Sequence, residues 1–208
     1  MKYVKLILLS FFVVIQIIIS SSCDFSSIPI FPPSSKDSAF GAHTVPLWSV
    51  DGKKIYYFGG FVLGGKYGMY EMTLPDGVSK LLMQDSLEKM SPVISPDRSK
   101  IAYLANIPPL LFCCAHVYVV NIDGTNKKDL TPWGGNWSQL RWSPDGNKVI
   151  FEGAVEQFGE IHDQIFIVDV NTGTAKQLTH SYGNYENRDA SYLSDGKRIA
   201  YLSAEPPY

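Results

Sequence analysis

The stretch that decides the fold is "LRWSPDGNKVIFEG", residues 140–153. A tryptophan is followed by Ser-Pro-Asp-Gly and then by an alternating apolar run, which predicts a strand, a tight turn and a second strand. Asp and Gly suit this turn because they tolerate the positive φ of tight hairpins. The stretch has three relatives in the chain: "PLWSVDGKKIYYFGG" from Pro46, "PVISPDRSKIAYLAN" from Pro92 and "ASYLSDGKRIAYLS" from Ala190. It is therefore the unit of a repeat.

The repeat keeps a regular spacing. Its turn aspartates lie 46, 48 and 50 residues apart: Asp51, Asp97, Asp145 and Asp195. A second half-unit follows each of the first three phrases: "GMYEMTLPDGVSKLLM", "HVYVVNIDGTNKKDLT" and "QIFIVDVNTGTAKQLT". These half-units keep a spacing of 48 residues at two landmarks: Tyr70, Tyr118 and Phe166, and Leu82, Leu130 and Leu178. Each full unit predicts four antiparallel strands, and such a unit every 46–50 residues is typical of a β-propeller blade.

We name the four strands of a unit A to D. Strand A precedes the Asp-Gly turn and carries an aromatic residue or isoleucine: Trp48, Ile94, Trp142 and Tyr192. Strand B follows that turn with an alternating pattern, as in "KIAYL". Strand C is "MYEMTL", "VYVVNI" or "IFIVDV", and a second turn leads to strand D. The fold class is therefore all-β, and no helical period of apolar residues follows Cys23.

The phrase "WSPDGNKVIF" followed by "IFIVDVNTGTAKQLT" resembles the repeat of TolB-type, WD-repeat-like β-propeller proteins. The resemblance covers residues 45–203 and is most specific over residues 140–179. The other units depart from it, since Val50 replaces proline in the first turn and Arg98 and Ser99 stand in the second where Gly is usual. The resemblance implies a propeller fold but leaves the function open, because propellers host many activities.

The repeats predict three complete blades and a half blade. We expect them at residues 45–90, 91–136 and 137–186, with the partial blade at 187–208. A propeller needs four or more blades, so an incomplete ring is expected. Three explanations remain open: a piece of a longer protein, a short chain that oligomerises, or a strained four-blade ring. The segment "IPIF" at residues 28–31 is a candidate closing strand.

The N-terminus predicts export. Lys2 and Lys5 precede an apolar run over residues 6–19, and small residues at 20–22 lead into Cys23, which is the layout of a signal peptide over residues 1–22. A cysteine in this place resembles the lipobox of bacterial lipoproteins, although Ser20 stands where the family usually has leucine. We expect a lipidated Cys23 followed by a Ser/Pro-rich linker to residue 44. Plain secretion and an uncleaved anchor are the alternatives. The predicted location is periplasmic or cell-surface, membrane-anchored.

Charge and cysteine content exclude two classes of function. The formal net charge is −2 and becomes −4 without Lys2 and Lys5, and no basic run remains, so nucleic-acid binding is not expected. Cys113 and Cys114 are predicted to be apolar filler, because adjacent cysteines rarely bridge each other and two ligands do not make a zinc site. We expect no cofactor and no metal.

The predicted strand order divides the loops between two faces of the propeller. The A–B and C–D turns lie on one face, which we call the turn face. The B–C loops and D–A connections lie on the other, the loop face. The four turn aspartates are predicted to close their turns by hydrogen bonds to the backbone. A ring of calcium ligands is a weaker hypothesis, since each turn offers one carboxylate and Ca²⁺ needs six or more oxygens.

The loop face is the predicted binding face. Its segments are long, dissimilar and aromatic, and variable loops on a rigid scaffold usually carry binding. The candidate binding residues are Trp133, Trp137, Phe158, Tyr182 and Tyr185. The alternative is that these rings wedge between blades. His116, His162 and His180 also fall near this face, where a metal or acid–base site is conceivable, but their spacing matches no zinc signature.

These features predict a non-catalytic binding module of the cell envelope with a protein or glycan partner. The resemblance implies such a role, and the chain lacks a Gly-x-Ser-x-Gly elbow and a P-loop. The alternative is the N-terminal propeller of a larger exported enzyme, either a prolyl-oligopeptidase-like peptidase or a polysaccharide lyase. A structural surface protein without a soluble ligand is a third hypothesis.

Overall fold

The computed structural model describes residues 8–9, 12–13, 45–60, 67–107, 115–157, 160–180 and 185–204. Every regular element in these ranges is a β-strand. Near the N-terminus, β1 (Leu8–Leu9) pairs antiparallel with β2 (Phe12–Val13). The predictions for Cys23, for the linker up to residue 44 and for the closing strand at 28–31 lie outside the described residues.

Three four-stranded sheets and one hairpin follow along the chain. Blade 1 consists of β3 (Leu47–Trp48), β4 (Lys54–Gly60), β5 (Tyr67–Thr73) and β6 (Val78–Asp85). Blade 2 consists of β7 (Glu88–Ile94), β8 (Lys100–Asn106), β9 (Ala115–Asn121) and β10 (Lys128–Asp129). Blade 3 consists of β11 (Trp137–Trp142), β12 (Lys148–Gln157), β13 (Glu160–Asp169) and β14 (Ala175–Gln177). The half blade consists of β15 (Glu186–Tyr192) and β16 (Ile199–Ala204).

The strands of each sheet pair antiparallel in chain order, A-B-C-D. The predicted fold class is thereby confirmed: the chain is all-β, with three four-stranded blades and a half blade. Each sheet packs on its neighbour in sequence, and strand A of each blade contacts strand A of the next. Strand A is therefore the innermost strand. Within the described ranges the sheets do not close into a ring.

A left-handed residue recurs in strand A of the last three units. Ser91, Gln139 and Asp189 have φ of 50°, 52° and 54°, and each lies where the pairing of strand A with strand B shifts register. A residue in this conformation at a register shift is a β-bulge, which bends the strand and increases its twist. The bulge recurs at the same place in these three units, so it is a regular feature of their strand A.

Apolar clusters fill the spaces between successive blades. Because side chains alternate along a strand, Tyr103 of β8 faces blade 1, whereas its neighbour Leu104 faces blade 3. Phe151 and Val149 meet Leu104 in the space between blades 2 and 3. A smaller cluster joins blade 3 to the half blade: Ile150, Ile165 and Ala190. Full burial of one large apolar side chain, such as Leu104 or Phe151, contributes about 1.5–3 kcal/mol to the free energy of folding.

Candidate functional site

The turn aspartates are held by donors within their own turns. Asp97 accepts hydrogen bonds from the Ser95 hydroxyl at 2.6 Å and from the Ser99 hydroxyl at 2.7 Å. Asp145 accepts one from the Ser143 hydroxyl at 2.5 Å. These bonds, the serine hydroxyls first, lower the pKa of Asp97 and of Asp145 to about 2. The carboxylates are therefore ionised and occupied in shaping the turn.

The turns of the first and fourth units use similar hydrogen bonds with different donors. Asp51 accepts hydrogen bonds from the Ser49 hydroxyl at 2.7 Å and the Lys53 amide at 3.1 Å. In the fourth turn Leu193 replaces the serine, and Asp195 accepts instead from the amide of Lys197 at 2.9 Å. Asp195 also accepts from Arg198 Nε at 2.7 Å.

The serine two residues before the aspartate is a functional residue of the turn that was not predicted from the sequence. The Ser49 and Ser95 hydroxyls accept the amide hydrogens of Lys54 and Lys100, each at 2.9 Å. Ser143 accepts the Lys148 amide at the same distance. The recurring Ser-x-Asp spacing was a visible signal for this role.

The structure separates the predicted binding aromatics of the loop face. Trp133 is 57% exposed and Tyr185 is 41% exposed. Phe158 and Tyr182 lie outside the described residues. Trp137 packs inward, with its ring centroid 5.2 Å from that of Phe151.

Two glycines make room for the Trp137 indole. A Cβ atom at Gly135 or at Gly153 would come within 2.3 Å of the indole carbons. The ring of Phe166 also packs against the indole, with 5.2 Å between the two ring centroids. Trp137 Nε1 is buried without a hydrogen-bond partner among the described residues. All of these contacts are with residues of blade 3 or of the connection that leads into it, and Trp137 also packs against the apolar cluster between blades 2 and 3.

The three histidines lie in different environments. His116 is buried, and its Nδ1 lies 2.7 Å from Oδ2 of Asp129. His162 is also buried, with Nε2 3.7 Å from Oε2 of Glu160. His180 is exposed. Among the described residues, no group of three or more His, Cys, Asp or Glu side chains is placed to hold a metal ion.

A cleft of about 410 Å³ opens on the loop face between blade 3 and the half blade. Its lining combines the end of strand D of blade 3 with both strands of the half blade: Leu178, Thr179, His180, Tyr185, Asn187, Tyr201 and Ser203. None of these side chains is an acid, a lysine or an arginine. The cleft therefore offers rings, hydroxyls and an amide.

Hydrogen bonds fix the polar base of the cleft. The Thr179 hydroxyl donates to Oε1 of Gln164 at 2.8 Å and accepts the Ile165 amide at 2.9 Å. Asn187 Nδ2 donates to the same Gln164 oxygen at 3.1 Å. Because Gln164 belongs to blade 3 and Asn187 to the half blade, this network sets the position of one sheet against the other.

A buried carboxylate also joins the two sheets. Glu152 Oε1 accepts the amide hydrogen of Asp189, the left-handed residue of the β15 bulge, at 2.6 Å. Burial raises the pKa of Glu152. On the surface nearby, Arg188 Nε lies 2.5 Å from Oδ2 of Asp163. Glu152 was not predicted as a functional residue, although it stands in a strand-B position where blade 2 has the apolar Leu104.

The family model for the TolB beta propeller domain matches residues 66–206. The chain belongs to the TolB beta-propeller family. This TolB-family chain is similar in structure to TolB from Acinetobacter baumannii, with a TM-score of 0.55 and 25% identity, over 77% of this chain and 37% of that one. A second similar structure is that of a TolB homologue from Agrobacterium tumefaciens. Its TM-score is 0.50 and its identity 22%, over 77% of this chain and 53% of that one.

A curated relative of this TolB-family chain is an enzyme. The human acylamino-acid-releasing enzyme is 28% identical over 134 residues, which are 57% of this chain and 18% of the enzyme. The TolB-family chain thus spans less than a fifth of that enzyme's length. In the part of the chain that the structure describes, no helix has the length and apolarity needed to cross a bilayer.

Proposed function

We propose that this chain is a non-catalytic binding module of the cell envelope, which presents its loop face to a protein or glycan partner. The cleft between blade 3 and the half blade carries the proposal. It lies on the loop face, combines strands from two sheets and has a polar base fixed by Gln164, Thr179 and Asn187. Concave sites with a few convergent polar groups on a rigid scaffold are typical binding sites.

The lining defines the chemistry of the ligand. Tyr185 and Tyr201 offer aromatic faces with hydroxyl groups, and Ser203 and His180 add polar groups that donate and accept hydrogen bonds. No charged carboxylate, ammonium or guanidinium group lines the cleft. It therefore suits an uncharged sugar or a polar peptide segment that presents hydroxyls, amides and apolar edges.

Two exposed aromatics extend the binding face. Tyr185 lines the cleft, and Trp133 lies in the preceding D–A connection, 57% exposed. Tryptophan and tyrosine are the residues on which protein interfaces most often depend. Phe158 and Tyr182 belong to loop-face segments in the sequence and complete the proposed set, together with Trp137, which supports the face from within.

The test is retention of a partner by the immobilised full chain. Envelope extract from the native host and an array of uncharged glycans are passed over the wild type and over Tyr185→Ala and His180→Ala variants. We expect a specific partner on the wild type that both variants lose. Lys176→Ala, an exposed change on β14 outside the cleft, is the matched control and retains the partner. The proposal fails if nothing is retained, or if Tyr185→Ala binds as the wild type does.

We also propose that the chain is exported and tethered through a lipid on Cys23. Family membership and the sequence of residues 1–23 support this location. A multiply acylated cysteine would give stable anchoring, whereas a single chain binds membranes only marginally. Mass spectrometry of the mature protein should find diacylglycerol on Cys23, and Cys23→Ser should abolish it. An unmodified mature N-terminus would contradict the tether.

A second candidate function is that of a propeller domain within a larger exported enzyme. The similarity to the human acylamino-acid-releasing enzyme favours the peptidase form of this alternative. Sequencing the gene on both sides of the region that encodes these residues distinguishes the two candidates. An adjoining hydrolase domain would assign the chain to a peptidase, and further blades alone would favour the binding module. A stoichiometric bound metal ion would favour a polysaccharide lyase.

A further inference from the structure

The hairpin of strands B and C in blade 3 extends further from the loop face than the described strands of blades 1 and 2. Each complete blade has an aromatic on strand B stacked on one of strand C: Tyr57 and Tyr70, Tyr103 and Tyr118, Phe151 and Phe166. In blades 1 and 2 the described pairing ends three residue pairs beyond this aromatic pair. In blade 3 it continues for six pairs, to Gln157 opposite Glu160. At about 3.4 Å per residue, the three additional pairs lengthen the hairpin by about 10 Å.

We call residues 155–157 and 160–162 the blade 3 arm. Below the arm, β12 pairs with β11 as far as Gly153, and the Ala154 amide donates to the Asn136 carbonyl at 3.2 Å. On the other edge, the Leu178 amide donates to the Ile165 carbonyl at 2.7 Å. Within the described residues no third strand pairs with the arm itself. The arm is therefore a two-stranded ribbon.

One face of the arm carries an exposed apolar side chain beside acids. Residues directly opposite each other in an antiparallel pair lie on the same face, so Ile161 shares a face with Glu156. Ile161 is 70% exposed, Glu156 is exposed, and the side chain of the adjacent Glu160 is 59% exposed. The other face is covered, since His162 is buried. An isoleucine thus stands between two exposed carboxylates.

The charge of the arm is negative. Residues 152–163 contain four acids and neither lysine nor arginine. At the base of the arm, Arg188 is paired with Asp163. Among the described residues, neither Glu156 nor Glu160 forms an ion pair with a lysine or an arginine. The arm therefore offers two carboxylates to a cationic ligand.

We propose that the blade 3 arm docks a cationic segment of a second, different protein. Lysine or arginine side chains of this segment would face Glu156 and Glu160, and one apolar side chain would pack on Ile161. Complementary charges give specificity and a faster association, and the apolar contact adds affinity. An anionic bilayer and a nucleic acid do not fit the arm, because their charge has the same sign.

This inference rests on the proposed binding role of the loop face but does not use the cleft. Neither Ile161 nor Glu156 lines the cleft. Tyr185→Ala should therefore lose the cleft ligand and keep the cationic segment, whereas Glu156→Lys should do the reverse. If only the cationic segment fails to bind, this inference is wrong and the proposed function stands. If only the cleft ligand fails to bind, the proposed function is wrong and the role of the arm stands.

The probe is a labelled synthetic peptide, Gly-Lys-Arg-Leu-Lys-Arg-Gly, titrated with the whole native protein. Fluorescence anisotropy should show saturable binding that weakens as the salt concentration rises, because salt screens exposed charges. Glu156→Lys should weaken binding about fivefold, since an attraction becomes a repulsion of similar size. Asp76→Lys makes the same change of charge at an exposed position in the C–D turn of blade 1 and is the matched control. It should weaken binding by less than about twofold, because salt screens distant charges.

The apolar contact is tested by a second pair of changes. Ile161→Ser in the protein and serine in place of leucine in the peptide should each weaken binding about fourfold, as the loss of about one buried methylene group predicts. The two changes together should cost little more than either alone, because both remove the same contact. Ile161 and Glu156 are exposed, so circular dichroism of both protein variants should match the wild type.

Four results would overturn the proposal. The first is that the peptide does not bind the whole protein saturably, as happens if another segment of the same protein covers Ile161. The second is that Glu156→Lys and Asp76→Lys weaken binding equally, which would indicate attraction by net charge alone. The third is that the two serine changes are additive. The fourth is self-association in sedimentation that Glu156→Lys abolishes, since a second copy would then occupy the arm.

Discussion

Trp142 in blade 3 donates its indole Nε1–H to the backbone carbonyl of Val93 in blade 2, across an N···O distance of 3.0 Å. Both residues belong to strand A, so the bond joins the innermost strands of two neighbouring blades. The tryptophan in the phrase that decides the fold therefore marks a strand and also fastens one blade to the preceding one.

Removing this bond should weaken the blade interface. Trp142→Phe keeps an aromatic ring but cannot donate to Val93, and a lost intramolecular hydrogen bond costs about 1 kcal/mol in the free energy of unfolding. Urea unfolding of the two proteins measures the difference. Arg141→Ala on the same strand is the control, because Arg141 is exposed and, within the described part of the chain, its guanidinium donates to the carbonyl of its neighbour Leu140. Equal stability of Trp142→Phe and the wild type would contradict the role given to the bond.

Backbone conformation favours glycine after the turn aspartate, although Arg98 holds this place in the second unit at φ 60°. Gly146 has φ +70°, and the nearest atom to an added Cβ would be Cδ of Pro96 at 3.9 Å, so there is no steric clash. Gly146→Ala should nevertheless destabilise the protein by about 1 kcal/mol, because a non-glycine residue is strained at this φ. Gly52 has φ +67°, and a Cβ atom added there would have no other atom within 4 Å, so packing plays no part at this position. Gly52→Ala should therefore lose as much stability as Gly146→Ala. A cost seen at only one of the two positions would argue against backbone strain.

The turn carboxylates should make stability fall in acid. The pKa of Asp97 and of Asp145 is lowered from 3.8 to about 2 in the folded chain, first by the hydroxyls of Ser95 and Ser143. A lowered pKa adds stability that is present above the unfolded value and is lost as the pH falls from about 4 to about 2. The thermal unfolding midpoint should therefore fall less steeply between pH 5 and pH 2 in the Asp97→Asn, Asp145→Asn double variant than in the wild type. The double variant lacks the two carboxylates that take up protons on unfolding in this pH range. An unchanged pH dependence would exclude these turns as its source.

Much of this fold is encoded locally, and for that reason the sequence predicts it. Alternating strands and Asp-Gly turns involve residues within a few positions of one another, and the 48-residue spacing then defines the blades. The inward position of Trp137 depends on Gly135 and on Gly153 in the paired strand, which is a long-range relation. A glycine inside a strand was the available signal for it.

The candidate site was less predictable than the fold. The cleft depends on how the half blade lies against blade 3, and no local pattern determines that angle. Glu152 illustrates the difficulty, because its partner is a backbone amide of Asp189 in another sheet. The repeat shows that a polar residue stands in an apolar column, but the sequence does not show which group it meets.

The hydrogen bond from the Asp189 amide to Glu152 should stabilise the bulge of β15. Glu152→Gln keeps a side-chain oxygen that accepts the Asp189 amide, whereas Glu152→Leu restores the apolar residue of blade 2 but leaves that amide without its partner. An unsatisfied buried donor costs about 1–3 kcal/mol. Glu152→Leu should therefore be the less stable of the two in urea unfolding, and its cleft should bind more weakly because β15 carries Asn187. If the leucine variant were the more stable, packing would outweigh the hydrogen bond.

A buried ion pair between blades 1 and 2 gives the sharpest stability test. The Lys89 ammonium is fully buried, donates to the carboxylate of Asp85 and donates to the Leu87 carbonyl at 2.9 Å. Burial lowers the pKa of Lys89, and the hydrogen bonds from Lys127 and Lys89 lower that of Asp85 although burial opposes them. Among the described residues, Asp85 is the carboxylate that neutralises this lysine.

Asp85→Asn should cost about 3–5 kcal/mol, because it leaves a buried ammonium without a counter-ion. Lys89→Met removes the buried ammonium, and it should cost less than Asp85→Asn because Asp85 is partly exposed and keeps its ion pair with Lys127 at 2.8 Å. In the double variant most of the loss should disappear, since no buried charge remains. Denaturant unfolding of the four proteins closes a double-mutant cycle. If the losses of the two single variants simply added in the double variant, Asp85 would act mainly through Lys127 and not through Lys89. Lys127 Nζ lies 2.8 Å from Oδ2 of Asp85.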